Sequence, residues 1–182
     1  MQELESDWLS ASESWIAMMA GSGSNPNLGE DQPSTSKSPS ESSFGVPDLL
    51  IVEDNESDVF LIKEAIDNSQ WAVNIHVVSD GEEAVRFFDR ADADAMQPCP
   101  ALVILDINLP RKQGNEVLKH MRQSRRCRGA LIVAVSTSDS ASDREQMKTL
   151  GANQYFRKPS DYQEFMQLGQ IVETLLAERS GQ

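Results

Sequence analysis

Positive charge is what this sequence has least of. Sixteen Lys and Arg residues face 29 Asp and Glu, for a formal net charge of −13. A nucleic-acid interface needs clustered Lys and Arg, so that class of partner is excluded, and an anionic membrane surface is disfavoured for the same reason. Most of the acidity serves solubility. Cysteine is nearly missing: Cys99 and Cys127 are the two present, without a Cys-x-x-Cys or metal-ligand spacing. They read as reduced thiols, with a single disulfide left open. No apolar run reaches the roughly 18–20 residues needed to span a bilayer, and the N-terminus is acidic where a secretory signal would be basic. The expectation is a cytoplasmic protein with no membrane partner. Apolar residues make up only 39% of the 182, slightly low for a fully packed chain, so part of the chain should lie outside the core.

Residues 1–46 differ from the rest. They hold 12 serines and seven acids against one lysine, Lys37. The stretch GSGSNPNLGEDQPSTSKSPSESS (21–43) has no apolar period and the composition of a disordered linker. Ahead of it, Leu4, Trp8, Ala11, Trp15 and Met18 fall at helical intervals. Such a stripe suits docking in a partner's groove. It better suits a frayed tail, or translated sequence upstream of the natural start. The domain organisation expected is a disordered acidic extension over 1–46 and one folded domain over 47–182.

From Val46 onward short apolar runs alternate with helical patterns. LLIV (49–52), VNIHVV (73–78), ALVIL (101–105), ALIVAV (130–135) and NQYF (153–156) read as strands. Between and after them, 57–69, 81–91, 115–124, 141–150 and a last segment from about Ser160 read as helices. Ser57 or Asn55 is placed to cap the first helix, and Gly151 to end the fourth. Strict β-α alternation with mostly apolar strands implies a parallel sheet covered by helices on both faces. Right-handed crossovers leave few topologies, of which a five-stranded doubly wound sheet is the natural one. Ligands of such sheets bind outside the carboxyl ends of the strands.

Those ends carry the chemistry. The first strand runs into Glu53-Asp54, the third into Asp106, the fourth into Ser136-Thr137, and the fifth is followed by Lys158-Pro159. Three clustered acids repel one another unless a cation joins them. An oxygen-only ligand set suits Mg²⁺. A lysine and a hydroxyl beside that set suit an anionic group, and an aspartate in such surroundings can act as a nucleophile and carry a phosphoryl group. Each feature alone has an ordinary reading as a loop cap, a turn, a solvated lysine or a helix-start acid. Their joint placement on successive strand ends favours the phosphoryl-transfer site. The basic stretch KHMRQSRRCRG (119–129) reads as cations near a helix C-terminus, and His76 and His120 stand alone.

The stretches LLIVEDNESDVFLIKEAI, LVILDINLPRKQGNEVL, VAVSTSDS and LGANQYFRKPSDYQEF resemble receiver domains of two-component response regulators over residues 47–182. More narrowly, VEDN, DINLPRKQGNEVL and DYQEFMQLGQIVETLL resemble stand-alone receivers associated with phytochrome-type kinases. The resemblance implies a flavodoxin-like (βα)5 fold and a set of roles. Asp106 accepts a phosphoryl group from the phosphohistidine of a sensor histidine kinase or phosphotransfer protein. Glu53, Asp54 and Asp106, with the backbone carbonyl of Asn108, hold Mg²⁺. Lys158 contacts the phosphoryl group, and Ser136 and Tyr155 switch the surface near the fourth and last helices. Receivers of this type often pair through that surface, so a homodimer through the last-helix face is expected. Gln113 departs from the family's frequent Asp before Gly114.

Three functions compete at this stage. The first is a single-domain response regulator that signals by protein contact, since no helix-turn-helix follows the last helix. The second is a Mg²⁺-dependent phosphatase with an aspartyl nucleophile. It resembles enzymes with Asp-x-Asp after a strand, but position 108 is Asn. The third is a phosphorylation-independent binding module on a receiver scaffold, which the intact Asp54, Asp106, Ser136 and Lys158 argue against.

Overall fold

A computed structural model describes residues 45–69 and 71–181. Residues 1–44 of the expected disordered extension (1–46), with its apolar stripe from Leu4 to Met18, lie outside the described residues. The elements run in the expected order. They are β1 (Asp48–Val52), α1 (Glu56–Asp67), β2 (Asn74–Val78), α2 (Gly81–Ala93), β3 (Leu102–Asp106), α3 (Gly114–Gln123), β4 (Leu131–Ser136), α4 (Ala141–Thr149), β5 (Gln154–Arg157) and α5 (Tyr162–Ser180). All pairings are parallel, and the strand order is β2-β1-β3-β4-β5. The chain therefore steps outward from β1 to β2, then returns past β1 to β3. The carboxyl ends of β1 and β3 flank the point where the winding reverses, where a doubly wound sheet opens a crevice.

Why these segments become central strands follows from their side chains. Successive residues point to opposite faces, and both faces are covered. Leu49 and Ile51 face α1 and α5 with Ile62, Phe165 and Leu168. Leu50 and Val52 face the other layer with Phe88, Leu118 and Met121. A side chain buried this fully contributes about 2 kcal/mol, so a run without polar residues is stable only with helices on both sides. β2 and β5 are the sheet edges, and their burial is accordingly partial.

Helix boundaries have local causes. Asn55 caps α1 by accepting from the Ser57 and Asp58 N–H groups, which settles the choice left open between Asn55 and Ser57. α4 ends as expected at Gly151, whose φ of +93° suits glycine. The Gly151 N–H donates to the Lys148 carbonyl and the Ala152 N–H to Met147, the double bond pattern of a glycine-terminated helix.

Three readings of the sequence are revised. Cys99 and Cys127, expected as reduced thiols, are joined, with their Cα atoms 5.4 Å apart. His76 and His120, expected to stand alone, each meet a carboxylate at 2.8 Å, Asp48 and Asp89 respectively. The basic stretch 119–129 does sit near a helix end, but two of its arginines serve other segments. Arg126 donates to the carbonyl of Ala91 in the last turn of α2 and to those of Asp94, Ala95 and Gln97 just after it. Arg122 donates to Arg128, Ala130 and Gly151 carbonyls.

Candidate functional site

The carboxyl edge of the sheet gathers the residues that the sequence placed at strand ends. Backbone bonds continue the ladder past each strand and fix where these residues stand. The Glu53 N–H donates to the Val78 carbonyl at 3.1 Å, Ile107 to Val135 at 3.1 Å, and Lys158 to Ser136 at 2.7 Å. Gly114 lets the start of α3 lie against the end of β3. A Cβ there would run into the Asp106 carbonyl, and the Gly114 N–H instead donates to Ile107 at 2.9 Å.

Lys158 is the centre of the site. Its Nζ donates to Glu53 Oε2 at 2.7 Å, to Asp58 Oδ2 at 2.8 Å and to Asp106 Oδ2 at 2.8 Å. An ammonium has three protons, and all three are used. The other Asp106 oxygen, Oδ1, accepts from the Asn108 N–H at 2.9 Å. The other Glu53 oxygen accepts from the Asn55 N–H at 3.2 Å. Glu53 and Asp106 are buried, while Asp54 is exposed at the rim.

Ionisation follows from this crowding. Burial pushes Glu53 up to about 7, and the Asp106 charge adds to the effect. The bonds from Lys158 and the Asn55 N–H only partly offset it. Burial alone would lower Lys158, yet its bonds to Asp106, Asp58 and Glu53 outweigh that and hold the ammonium above the ordinary lysine range. The lysine is therefore a fixed positive charge amid acids that remain short of cations.

Glu53, Asp54 and Asp106 each offer a carboxylate oxygen within 4.8 Å of the others. Hard oxygen donors in this number, two of them buried and one open to solvent, fit a small divalent cation that keeps some of its waters.

Ser136 is fully buried, and its hydroxyl oxygen accepts from the Ser138 N–H at 3.1 Å. That hydroxyl makes no hydrogen bond to the side chains of Asp106 or Lys158 among the described residues, so the geometry ties it to the loop before α4. Tyr155 joins the same loop, for its hydroxyl donates to the Ser138 carbonyl at 2.9 Å. The Arg144 guanidinium lies 5.1 Å from the Tyr155 ring centroid. Ser136 and Tyr155 are thus linked through Ser138. Asn108 stands two residues past Asp106, and Gln113 donates from its backbone to Glu116 at 3.1 Å as α3 begins.

Two features escaped the sequence reading. One is Asp58, in the first turn of α1. Its place in the first turn of a helix that begins directly after Glu53-Asp54 was the available signal, since that turn lies at the edge where those acids stand. The other is the pair of Asp80 and Arg111 at 2.7 Å. Arg111 has φ of +65°, uncommon for a residue with a side chain. The buried Asp80 also caps α2 through the Glu83 N–H at 2.7 Å, which anchors the loop after β3 to the start of α2. No local pattern couples two residues so far apart in the chain.

The family model of the response regulator receiver domain matches residues 49–170. The chain belongs to that family. Response regulator Rcp1 of Synechocystis sp. is 28% identical over 130 residues, covering 71% of this chain and 88% of that protein. The solved structure of a phosphorylated cyanobacterial phytochrome response regulator, RcpA, aligns with a TM-score of 0.67 at 31% identity. It covers 74% of this chain and 96% of the other. A Mn²⁺-bound form of Rcp1 aligns with a TM-score of 0.63 at 28% identity, over 70% of this receiver chain and 92% of the other. The flavodoxin-like receiver fold and the narrower likeness to phytochrome-associated regulators are both borne out. The receiver is a response regulator of two-component signalling. No helix among the described residues is long and apolar enough to cross a membrane.

Proposed function

We propose that Asp106 accepts a phosphoryl group from the phosphohistidine of a sensor histidine kinase or phosphotransfer protein, and that the phosphorylated receiver signals through protein contacts. The observation that carries this reading is Lys158 Nζ at 2.8 Å from Asp106 Oδ2, inside a cluster of three further acids, Glu53, Asp54 and Asp58. An aspartate held beside a fixed positive charge at the mouth of a doubly wound sheet is placed to attack phosphorus.

The step balances simply. An Asp106 carboxylate oxygen bonds to phosphorus as the bond from phosphorus to the donor imidazole nitrogen breaks. The electron pair leaves with the imidazole, and that ring takes a proton from solvent. Lys158 keeps its protons throughout and donates to the phosphoryl oxygens as charge builds on them. Glu53, Asp54 and Asp106, with the Asn108 backbone carbonyl, would hold Mg²⁺, which neutralises charge on the acids and on the phosphoryl oxygens.

Afterwards the group leaves about −1.5 to −2 charge at this edge. Ser136 turns its hydroxyl from the Ser138 N–H toward the phosphoryl oxygens. That loosens the loop held by Tyr155 and repacks the surface of α4, β5 and α5, a local charge event with a two-state readout. Pairing of two copies through the α5 face belongs to the same reading, as does a cytoplasmic setting, where a kinase has ATP. Asn108 has no proton to exchange as an acid/base, which disfavours steady phosphatase turnover.

The test is incubation of the full chain with Mg²⁺ and phosphoramidate, followed by intact-mass analysis. One base-labile phosphoryl adduct is expected, absent in Asp106→Asn. An unmodified wild-type protein with both phosphoramidate and a phosphorylated histidine donor would refute the proposal.

A further inference from the structure

Lys158 has three carboxylate partners, and the proposed chemistry reassigns two of them. Glu53 and Asp106 belong to the cluster whose oxygens converge on a cation site, and Asp106 also becomes the phosphoryl carrier. Asp58 belongs to neither group. It comes from the first turn of α1, and its carboxylate is 2.8 Å from Nζ. The helix start that presents it is itself locked to the site. The Asn55 side chain caps α1 by accepting from the Asp58 N–H, while the Asn55 backbone N–H donates to Glu53. The Asp58 side chain is 23% exposed and that of Lys158 only 7%, so the pair is well shielded from water.

We infer that Asp58 is a positioning residue that keeps the Lys158 ammonium aimed at the phosphoryl site while Glu53 and Asp106 change partners. The role rests on the phosphoacceptor function proposed above. The reason lies in the lysine side chain. Four rotatable bonds let an ammonium wander once its partners are drawn away, and a donor stabilises developing charge only if it is already in place. An anchor outside the reacting set supplies that constancy. The alternative is that Asp58 serves only the helix, as an acid favoured by the dipole at its N-terminus. That role has no reason to depend on Lys158.

The experiment measures initial phosphorylation rates of the full chain with Mg²⁺ and phosphoramidate, by intact mass. The proteins are wild type, D58N, D58A, K158A and the double variant D58N/K158A. Mg²⁺ affinity is measured by calorimetry on the unphosphorylated proteins, and thermal midpoints are recorded alongside. D58N should be roughly tenfold slower, the scale of losing a charge-assisted hydrogen bond, and D58A at least as slow. Mg²⁺ affinity of D58N should stay within about twofold of wild type, and the D58N effect should vanish in the K158A background, as expected of residues acting as a unit. A D58N rate equal to or above wild type overturns the role, and with a lowered thermal midpoint it leaves only the helix-end contribution. The same tenfold loss in the K158A background overturns it too, as does a tenfold loss of Mg²⁺ affinity, which would place Asp58 in the cation site. A wild type that takes no phosphoryl group overturns the proposed function itself, and this role with it.

Discussion

At the carboxyl edge of the sheet Glu53, Asp58 and Asp106 crowd around one ammonium, with Asp54 at the rim, whereas at the amino edge arginines are spread over backbone carbonyls. There Arg126 closes the segment after α2, Arg122 ties the loops before β4 and β5, and Arg179 reaches the Ala101 carbonyl at 2.7 Å. One acid at that edge, Asp92, accepts from the Arg125 N–H, the Arg126 N–H and the Ser124 hydroxyl. Those bonds, the Arg125 N–H foremost, hold its carboxyl below the ordinary range. Both edges place charges against the fold. One is satisfied by neutral dipoles that have no other use. The other has more acids than cations and so responds to any cation or phosphoryl group that arrives. The amino edge is a fastening, and the carboxyl edge is a place where charge changes hands.

The contrast breaks most visibly at Lys158. In Lys158→Ala, Glu53, Asp58 and Asp106 lose their shared cation. Phosphorylation by phosphoramidate should fall by at least about 100-fold, and unfolding in urea at pH 7.5 should show a loss of about 3 kcal/mol. Unchanged stability would mean that the acids at this edge do not need their cation.

Next in size is a pH effect confined to the carboxyl edge. The Glu53 value is raised from 4.5 to about 7 in the folded chain. The folded state thus holds a proton that the unfolded chain has already released, so stability falls as pH rises from 4.5 to 7. The loss should reach up to about 3 kcal/mol in chelator-treated protein. Urea titrations across that range should show the decline, and Glu53→Gln should flatten it. A stability that climbs with pH in wild type but not in Glu53→Gln would contradict the assignment.

At the amino edge, Arg126→Ala should cost about 2 kcal/mol through carbonyls left without donors, while the phosphorylation rate stays within twofold of wild type. A larger change in rate would show that the two edges are coupled. The smallest effect is expected for Tyr155→Phe, which removes one hydrogen bond to the Ser138 carbonyl. About 1 kcal/mol or less should be lost, read by the shift in urea midpoint.

Much of the carboxyl edge was legible in the sequence, and much less of the amino edge. Asp106 and Ser136 end strands whose apolar runs are unmistakable, and Glu53 and Lys158 directly follow such strands, so topology alone brings them to one edge. Asp58 was missed because a first-turn acid looks like an ordinary helix start. The arginine clamps were missed because their acceptors are backbone carbonyls, which every residue has. The partners of His76 and His120, and the pairing of Cys99 with Cys127, depend on how separate elements meet.

The residues themselves determined the order of strands and helices, a cap at Asn55 or Ser57, the stop at Gly151 and the acids waiting at strand ends. These depend on periodicity and backbone conformation within a few residues. Tertiary structure alone decided that Lys158 meets Glu53 across 105 positions, Asp58 across 100 and Asp106 across 52. Such contacts depend on strand order and register, and these are fixed only when five strands and five helices bury their apolar faces together.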